Sequence, residues 1–243
     1  MDIVFEKEYP VLPSVCDASG RLSYPGAFEC FMDIASQHAE GLGFGFTELM
    51  DRGLFWLTVK TKIRFRRRPR LGENTRLITW PEKPGRLRCN RSYEMKRGDE
   101  PLLSGRTEWA LMELESGRMA PASRMFSDDL PFPEYSACGE AFALVPDSFD
   151  GLEAYARTVV RSTDIDLGGH MNNAAYLRAM FGTFSCAELS AMDIRAADAL
   201  FRAPCFEGDE LLWQRAETPS GLRVRARRGE QTVFLAALET AGA

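Results

Sequence analysis

Two stretches of the chain place apolar side chains on one helix face, at the i, i+3, i+4 spacing of a buried stripe: Phe28, Phe31, Ile34 and Ala35, then Tyr176, Leu177, Met180 and Phe181. Each is followed by short runs with strand character, broken by turn residues. In the first half these are Thr75–Trp80, Arg86–Met95 and Gly105–Leu114, with turns at Pro84-Gly85 and Gly98-Asp99. In the second half they are Glu210–Ala216, Leu222–Arg227 and Thr232–Glu239, with turns at Pro219-Ser220-Gly221 and Arg228-Gly229. From residue 60 to 70 every even position is basic (Lys60, Lys62, Arg64, Arg66, Arg68, Arg70), while Val59, Thr61, Ile63 and Phe65 between them are mostly apolar. Period two of this kind predicts a strand with one buried and one cationic face.

The two halves also match as text. Asp17-x-x-Gly20-Arg21-Leu22-Ser23 lies on Asp166-x-x-Gly169-His170-Met171-Asn172 without a gap, and Pro69-Arg70-Leu71-Gly72-Glu73 has a looser echo in Pro204-Cys205-Phe206-Glu207-Gly208-Asp209. The repeating unit is one short strand, one long helix and about four antiparallel strands. That is a duplicated domain, unlike solenoid repeats of roughly 20–50 residues. Residues 1–118 and 152–243 are the predicted halves. The intervening 119–151, irregular and holding Pro121, Pro131, Pro133 and Pro146, is the predicted surface connection. The pattern alone gives α+β with two similar halves.

Composition narrows the possibilities. The 243 residues are 45% hydrophobic and 27% charged, with a formal net charge of −5. This is ordinary for a globular protein and turns away from nucleic acid as the main partner. No apolar run approaches the ~18–20 residues of a membrane span, and MDIVFEKEYP reads as no targeting segment. Six cysteines (16, 30, 89, 138, 186 and 205) are scattered without a Cys-x-x-Cys pair. Free thiols in a reducing cytoplasm are expected, without a metal or redox cofactor.

The candidate chemistry sits in RSTDIDLGGHMNNAAYL, Arg161–Leu177, which holds one of the chain's two histidines. Imidazole titrates near neutral pH and serves as acid, base or carbonyl ligand. Asp166 would orient it or hold water, and is equally a turn-former. Asn172 and Asn173 suit a helix cap, and a helix start offers N–H donors to a developing oxyanion. Without further information, a catalytic His170 and a structural loop residue stand level. Cys205 has no adjacent histidine and reads as a buried thiol. In the first half Arg21 takes the place of His170. His38 lies within the first helix and is read as structural or as a polar group near a binding tunnel.

The segment Asp164-Ile165-Asp166-Leu167-Gly168-Gly169-His170-Met171-Asn172-Asn173-x-x-Tyr176 resembles the signature of the acyl-acyl-carrier-protein (acyl-ACP) thioesterases of plants and bacteria, close to Asp-x-Asp-x-Asn-x-His-Val-Asn-Asn-x-x-Tyr. Trp56, Arg68-Pro69-x-x-Gly72-Glu73, Thr79-Trp80-Pro81 and Trp109 fall in the order that family shows. The resemblance implies a tandem (double) hot-dog fold, each half a long helix packed on a curled antiparallel sheet, and hydrolysis of fatty acyl-ACP by activated water. His170, Asp166, Asn172 and Asn173 would be the catalytic set. Phe28, Phe31, Met32 and Trp56 of the first half would line the acyl-chain pocket, and Gly168 and Cys205 would touch substrate.

Two positions depart from the pattern. Gly168 stands where the family has a catalytic Asn, and Pro204 where plant members have a Glu before the Cys; the nearest carboxylates are Glu207 and Asp209. The basic positions Lys60, Lys62, Arg64, Arg66 and Arg68 suit docking of an acidic carrier protein, or are a solvated strand face. The partner implied is acyl carrier protein with its phosphopantetheine-linked chain, the assembly a monomer or homodimer. The alternatives are an acyl-CoA thioesterase, a non-catalytic acyl-binding hot-dog protein and, behind both, a hydroxyacyl-thioester dehydratase.

Overall fold

The computed structural model describes residues 3–126 and 129–241. The chain divides into two compact units, Met1–Glu140 and Ala141–Ala243, and the division falls inside the Pro-rich connection. Ser127 and Asp128 of that connection lie outside the described residues.

In the first unit β1 (Phe5–Pro10) precedes helix α1 (Tyr24–Gly41) and the short α2 (Phe46–Asp51). Strands β2 (Leu54–Phe65), β3 (Asn74–Pro81), β4 (Cys89–Arg97) and β5 (Glu100–Glu113) follow, with β6 (Met119–Ala120) on the edge. Their order is β1-β3-β4-β5-β2, antiparallel throughout, with β6 beside β5. Ser23 caps α1, its hydroxyl accepting from Gly26 N at 2.9 Å, and Pro25 fits the first turn where no N–H partner is needed. The face read from sequence is the buried one: Phe28, Phe31, Ile34, Ala35 and His38. Phe31 stacks on Tyr93 of β4, centroids 4.9 Å apart. It also lies so close to Gly105 of β5 that a Cβ there would stand 2.7 Å from its ring. Only glycine leaves room for that ring, whose burial contributes about 2–3 kcal/mol.

The strand predicted from residue 60 to 70 is shorter than its alternation suggests. β2 ends at Phe65, where Arg66 N and Arg67 N both donate to Leu102 O, and Pro69 has no N–H to extend a ladder. A bulge between Thr58 and Lys60 exchanges the faces midway. Before it Trp56 and Thr58 share the helix-side face; after it Thr61, Ile63 and Phe65 do. Lys62 is itself buried, so the predicted cationic face is interrupted.

The second unit repeats the plan. β7 (Ala156–Val159) leads to α3 (Asn173–Gly182), α4 (Cys186–Ala191), and strands β8 (Ile194–Phe201), β9 (Glu210–Thr218), β10 (Gly221–Arg228) and β11 (Gln231–Thr240). The order is β8-β11-β10-β9-β7, again antiparallel. Here the helix is ten residues, not the long one expected. It stops where Thr183 Oγ1 donates back to Met180 O, and Ser185 with Glu188 opens α4 through a capping box. Tyr176 anchors α3, stacked on Phe234 of β11 at 5.6 Å and donating its hydroxyl to Ala203 O. Each unit is therefore a helix on an antiparallel sheet, the α+β hot-dog arrangement expected. Among the described residues no helix is long and apolar enough to cross a membrane.

Candidate active site

The loop carrying His170 is built from backbone bonds that the first unit repeats one for one. Asp166 N donates to His170 O (3.0 Å), Gly169 N to Asp166 O (3.0 Å) and Gly168 N to Asp166 Oδ1 (2.8 Å). In the first unit Asp17 N donates to Arg21 O (2.8 Å), Gly20 N to Asp17 O (3.0 Å) and Ser19 N to Asp17 Oδ1 (2.9 Å). Gly169 and Gly20 both sit at positive φ, 74° and 69°, a conformation that a Cβ would strain. The turn behind the loop is duplicated too. Phe206 N donates to Asp209 Oδ2 and Arg70 N to Glu73 Oε1, each at 2.8 Å.

On this shared backbone the side chains differ. In the first unit Asp17 is gripped by Arg68, which also lies over the Tyr24 ring at 4.3 Å. Burial works against ionisation of Asp17, but the hydrogen bonds from Arg68 and Ser19 outweigh it and hold the carboxyl below its ordinary value. In the second unit, among the described residues, no arginine takes Asp166. Its Oδ1 faces His170 Nδ1 at 3.6 Å, with both side chains about 30% exposed (28% and 31%). That distance suits an ion pair and is long for a hydrogen bond.

Gly168 does more than omit an Asn side chain. A Cβ there would stand 2.9 Å from His170 Nε2 and 3.0 Å from Asp166 Oδ1. The imidazole occupies the space that a side chain at 168 would need.

The start of α3 can be accounted for donor by donor. Asn172 is the N-cap; its Oδ1 accepts from Ala174 N at 2.7 Å, and its own N–H donates to Asp164 O at 2.8 Å. Ala175 N turns back to Asn172 O at 2.9 Å. Among the described residues this leaves the Asn173 N–H as the donor of that first turn with no hydrogen-bond partner, three residues from His170. Asn172 is thus a capping residue, and a cap of this kind contributes about 1 kcal/mol.

The other predicted residues scatter. Cys205 is fully buried; burial pushes its thiol up, against the opposing pull of Tyr176 and Arg228. Asp209 is committed to Phe206 N and to Arg228 Nη1 at 2.7 Å, while Glu207 is exposed. Phe28 and Phe31 are buried on α1, Met32 half-buried beside them. Trp56 joins a separate cluster with Phe44, Leu111 and Phe126, its Nε1 donating to Phe44 O.

Of the basic series, Lys60 faces Glu108 at 3.4 Å, Lys62 and Arg64 face Glu140, Arg68 holds Asp17 and Arg66 is exposed. A cavity of about 560 Å³ lies under Leu130–Ser136, beside the Glu82–Arg106 ion pair, and contains no residue of the His170 loop. Among the described residues no three His, Cys, Asp or Glu side chains are grouped to hold a metal.

Sequence reading passed over Arg91. It lies on the helix side of β4 with its Nη1 3.0 Å from His38 Nδ1, under α1. The signal was there: Arg91 sits in period with Cys89 and Tyr93, on the apolar face of a predicted strand.

This architecture has counterparts. Residues 2–128 match the family model described as the acyl-ACP thioesterase N-terminal domain, and residues 152–235 match its C-terminal domain. An oleoyl-acyl carrier protein thioesterase, chloroplastic, of Coriandrum sativum is 23% identical over 197 residues, 73% of this chain and 53% of the relative. The chain thus spans about half the length of that curated protein.

Among solved structures, an acyl-ACP thioesterase from Bacteroides thetaiotaomicron VPI-5482 superposes with a TM-score of 0.82 at 21% identity, covering 98% of this chain and 97% of the other. The 12:0-ACP thioesterase from Umbellularia californica gives 0.82 at 18%, covering 99% and 98%. At such identities the structural likeness carries the fold. With both family domains matched in order across the two units, the chain belongs to the acyl-ACP thioesterase family.

Proposed function

We propose that this chain hydrolyses acyl-ACP thioesters to free acid and carrier thiol, with His170 as the acid–base residue. The observation that carries this is the His170–Asp166 pair beside the unpartnered Asn173 N–H at the start of α3. His170 takes a proton from water as the water oxygen attacks the thioester carbonyl carbon. The carbonyl oxygen gains negative charge against the Asn173 N–H, where the helix start adds its partial positive charge. The C–S bond then breaks, and the proton held by His170 passes to the departing sulfur. Asp166 keeps the imidazole aimed and stabilises its charged form; its 3.6 Å separation closes to a hydrogen bond on substrate binding.

No covalent enzyme intermediate is part of this scheme. Cys205 is buried and its thiol is pushed away from ionisation. The carrier docks through whichever of Lys60, Lys62, Arg64, Arg66 and Arg68 remain accessible, Arg66 first among them because it is exposed. The six cysteines, all unpaired, suit the cytoplasm, and the duplicated chain works as a monomer or homodimer.

The commitment of Asp209 to Arg228 favours one other reading, an acyl-binding protein without turnover. Thiol release from acyl-ACPs and matching acyl-CoAs, by the wild type and His170→Ala, decides between them. Turnover of acyl-ACPs that His170→Ala abolishes supports the hydrolase. Acyl binding without release from either carrier overturns it, and faster release from CoA overturns the carrier assignment.

A further inference from the structure

The helix side of the first sheet should be oily if it only receives a hydrocarbon chain, and it is not. Arg91 is buried there, 8% exposed, and its Nη1 donates to His38 Nδ1 (3.0 Å) and Thr79 Oγ1 (3.3 Å). A guanidinium only donates, so His38 Nδ1 is the acceptor and the ring proton sits on Nε2. Neither partner is charged against it, and among the described residues no carboxylate pairs with Arg91.

The carboxylate just past the end of the neighbouring strand β3, Glu82, is of no help. Glu82 bonds Ser92 and Arg106, which alternate with Arg91 and Thr107 and so belong to the opposite face of the sheet. Burial pulls the Arg91 guanidinium below its ordinary basicity, as expected of a cation taken from water without a counter-ion.

The same face holds further polar atoms with nothing to bond. Among the described residues, Trp109 Nε1 and Thr58 Oγ1 are buried without hydrogen-bond partners, on residues paired across β2 and β5. Tyr93 Oη lies near Thr107 and Trp109 yet makes no hydrogen bond of ordinary geometry. Tyr93 is the residue on which Phe31 stacks, and His38 is seven positions after Phe31 on the same face of α1. The cation and the orphaned groups therefore continue the very surface that Phe28 and Phe31 begin.

We propose that the first unit selects acyl chains bearing a carboxylate away from the thioester, and that Arg91 is the specificity residue that recognises it. This rests on the hydrolase reading only for the thioester end. A carboxylate supplies the charge that Arg91 lacks and accepts charge-assisted, bidentate bonds from its fork. Trp109 Nε1 and the Thr58 and Tyr93 hydroxyls would serve the oxygens of a chain on its way there. A plain alkyl end would instead leave the Arg91 charge without a counter-ion and the Trp109, Thr58 and Tyr93 groups without hydrogen bonds.

The test compares the N-acetylcysteamine thioester of octanoic acid with the mono-thioester of octanedioic acid, which differ only at the distal end. Calorimetric titration into full-length His170→Ala measures binding without turnover. Thiol release by the wild type, from these and from the corresponding ACP thioesters, measures catalysis. The expected result is a preference of about tenfold or more for the carboxyl-bearing chain, reversed by Arg91→Met and kept in part by Arg91→Lys.

Equal or better binding of the octanoyl thioester overturns the proposal, and needs no variant to be folded. So does an Arg91→Met protein, folded by circular dichroism, that weakens both ligands alike. Binding that follows Arg91 without any thiol release would sink the hydrolase reading and leave this one standing.

Discussion

At His170 one missing side chain decides the geometry. Gly168 is not among the glycines at positive φ, so its backbone does not exclude alanine, but the new Cβ meets the imidazole at 2.9 Å. Gly168→Ala should push the ring off Asp166 and lower kcat/KM by about 100-fold, the scale of a 1 Å misplacement. The melting temperature should hardly move, because the displaced atoms are the exposed end of a side chain. Unchanged turnover would show that the imidazole works elsewhere.

Cys205 gives the converse case. Cys205→Ala should retain activity and lose some stability, since it packs behind Tyr176 and has no thiolate to offer. An inactive but folded Cys205→Ala would mean covalent catalysis. Neither expectation is readable from residue type alone, because both depend on what stands across the loop.

At the scale of elements, the duplicated turn behind each loop is held by a carboxylate, and the two carboxylates differ in wealth of partners. Glu73 takes Arg67 in a two-pronged pair at 2.9 and 3.0 Å, with Arg97 and the Arg70 N–H in addition. The Arg67 bonds above all, against the cost of burial, hold its carboxyl near 2, from an ordinary 4.5. A depressed carboxyl stabilises the fold fully above its unfolded value and loses that contribution as pH falls toward the folded one. The melting temperature should therefore drop between pH 4.5 and 2 partly through Glu73. Glu73→Gln should flatten that slope, and at neutral pH cost on the order of 1 kcal/mol after solvent screening. A thermal melt series in both proteins checks it; identical slopes would place the acid sensitivity elsewhere.

For the whole molecule, the duplication is where sequence and structure agree most closely. Asp17-x-x-Gly20 and Asp166-x-x-Gly169 foretell two loops with the same hydrogen bonds, because an aspartate that caps its own turn and a glycine at positive φ are local requirements. The helix faces and the strands after them were legible for a similar reason: periodicity reports which side of an element is buried. The basic run was less so. A bulge, a proline and a buried lysine interrupt it, and none of these alters the alternation of charge in the text.

The sequence by itself determined two similar α+β halves, a helix start at Asn172–Asn173, and a histidine in the second loop where the first has arginine. Each of these is settled within a few residues along the chain. Only the tertiary structure decided that Arg68 closes the first loop by taking Asp17 while Asp166 is left to His170, and that Asp209 belongs to Arg228. It also decided that Arg91 lies under α1 with, among the described residues, no carboxylate to meet it. Apart from Asp166 with His170, four positions apart, these pairings join residues 19 to 53 positions apart. Charge and hydrogen bonding act through space over a few ångströms, and which groups come within that reach is fixed by strand register and helix packing.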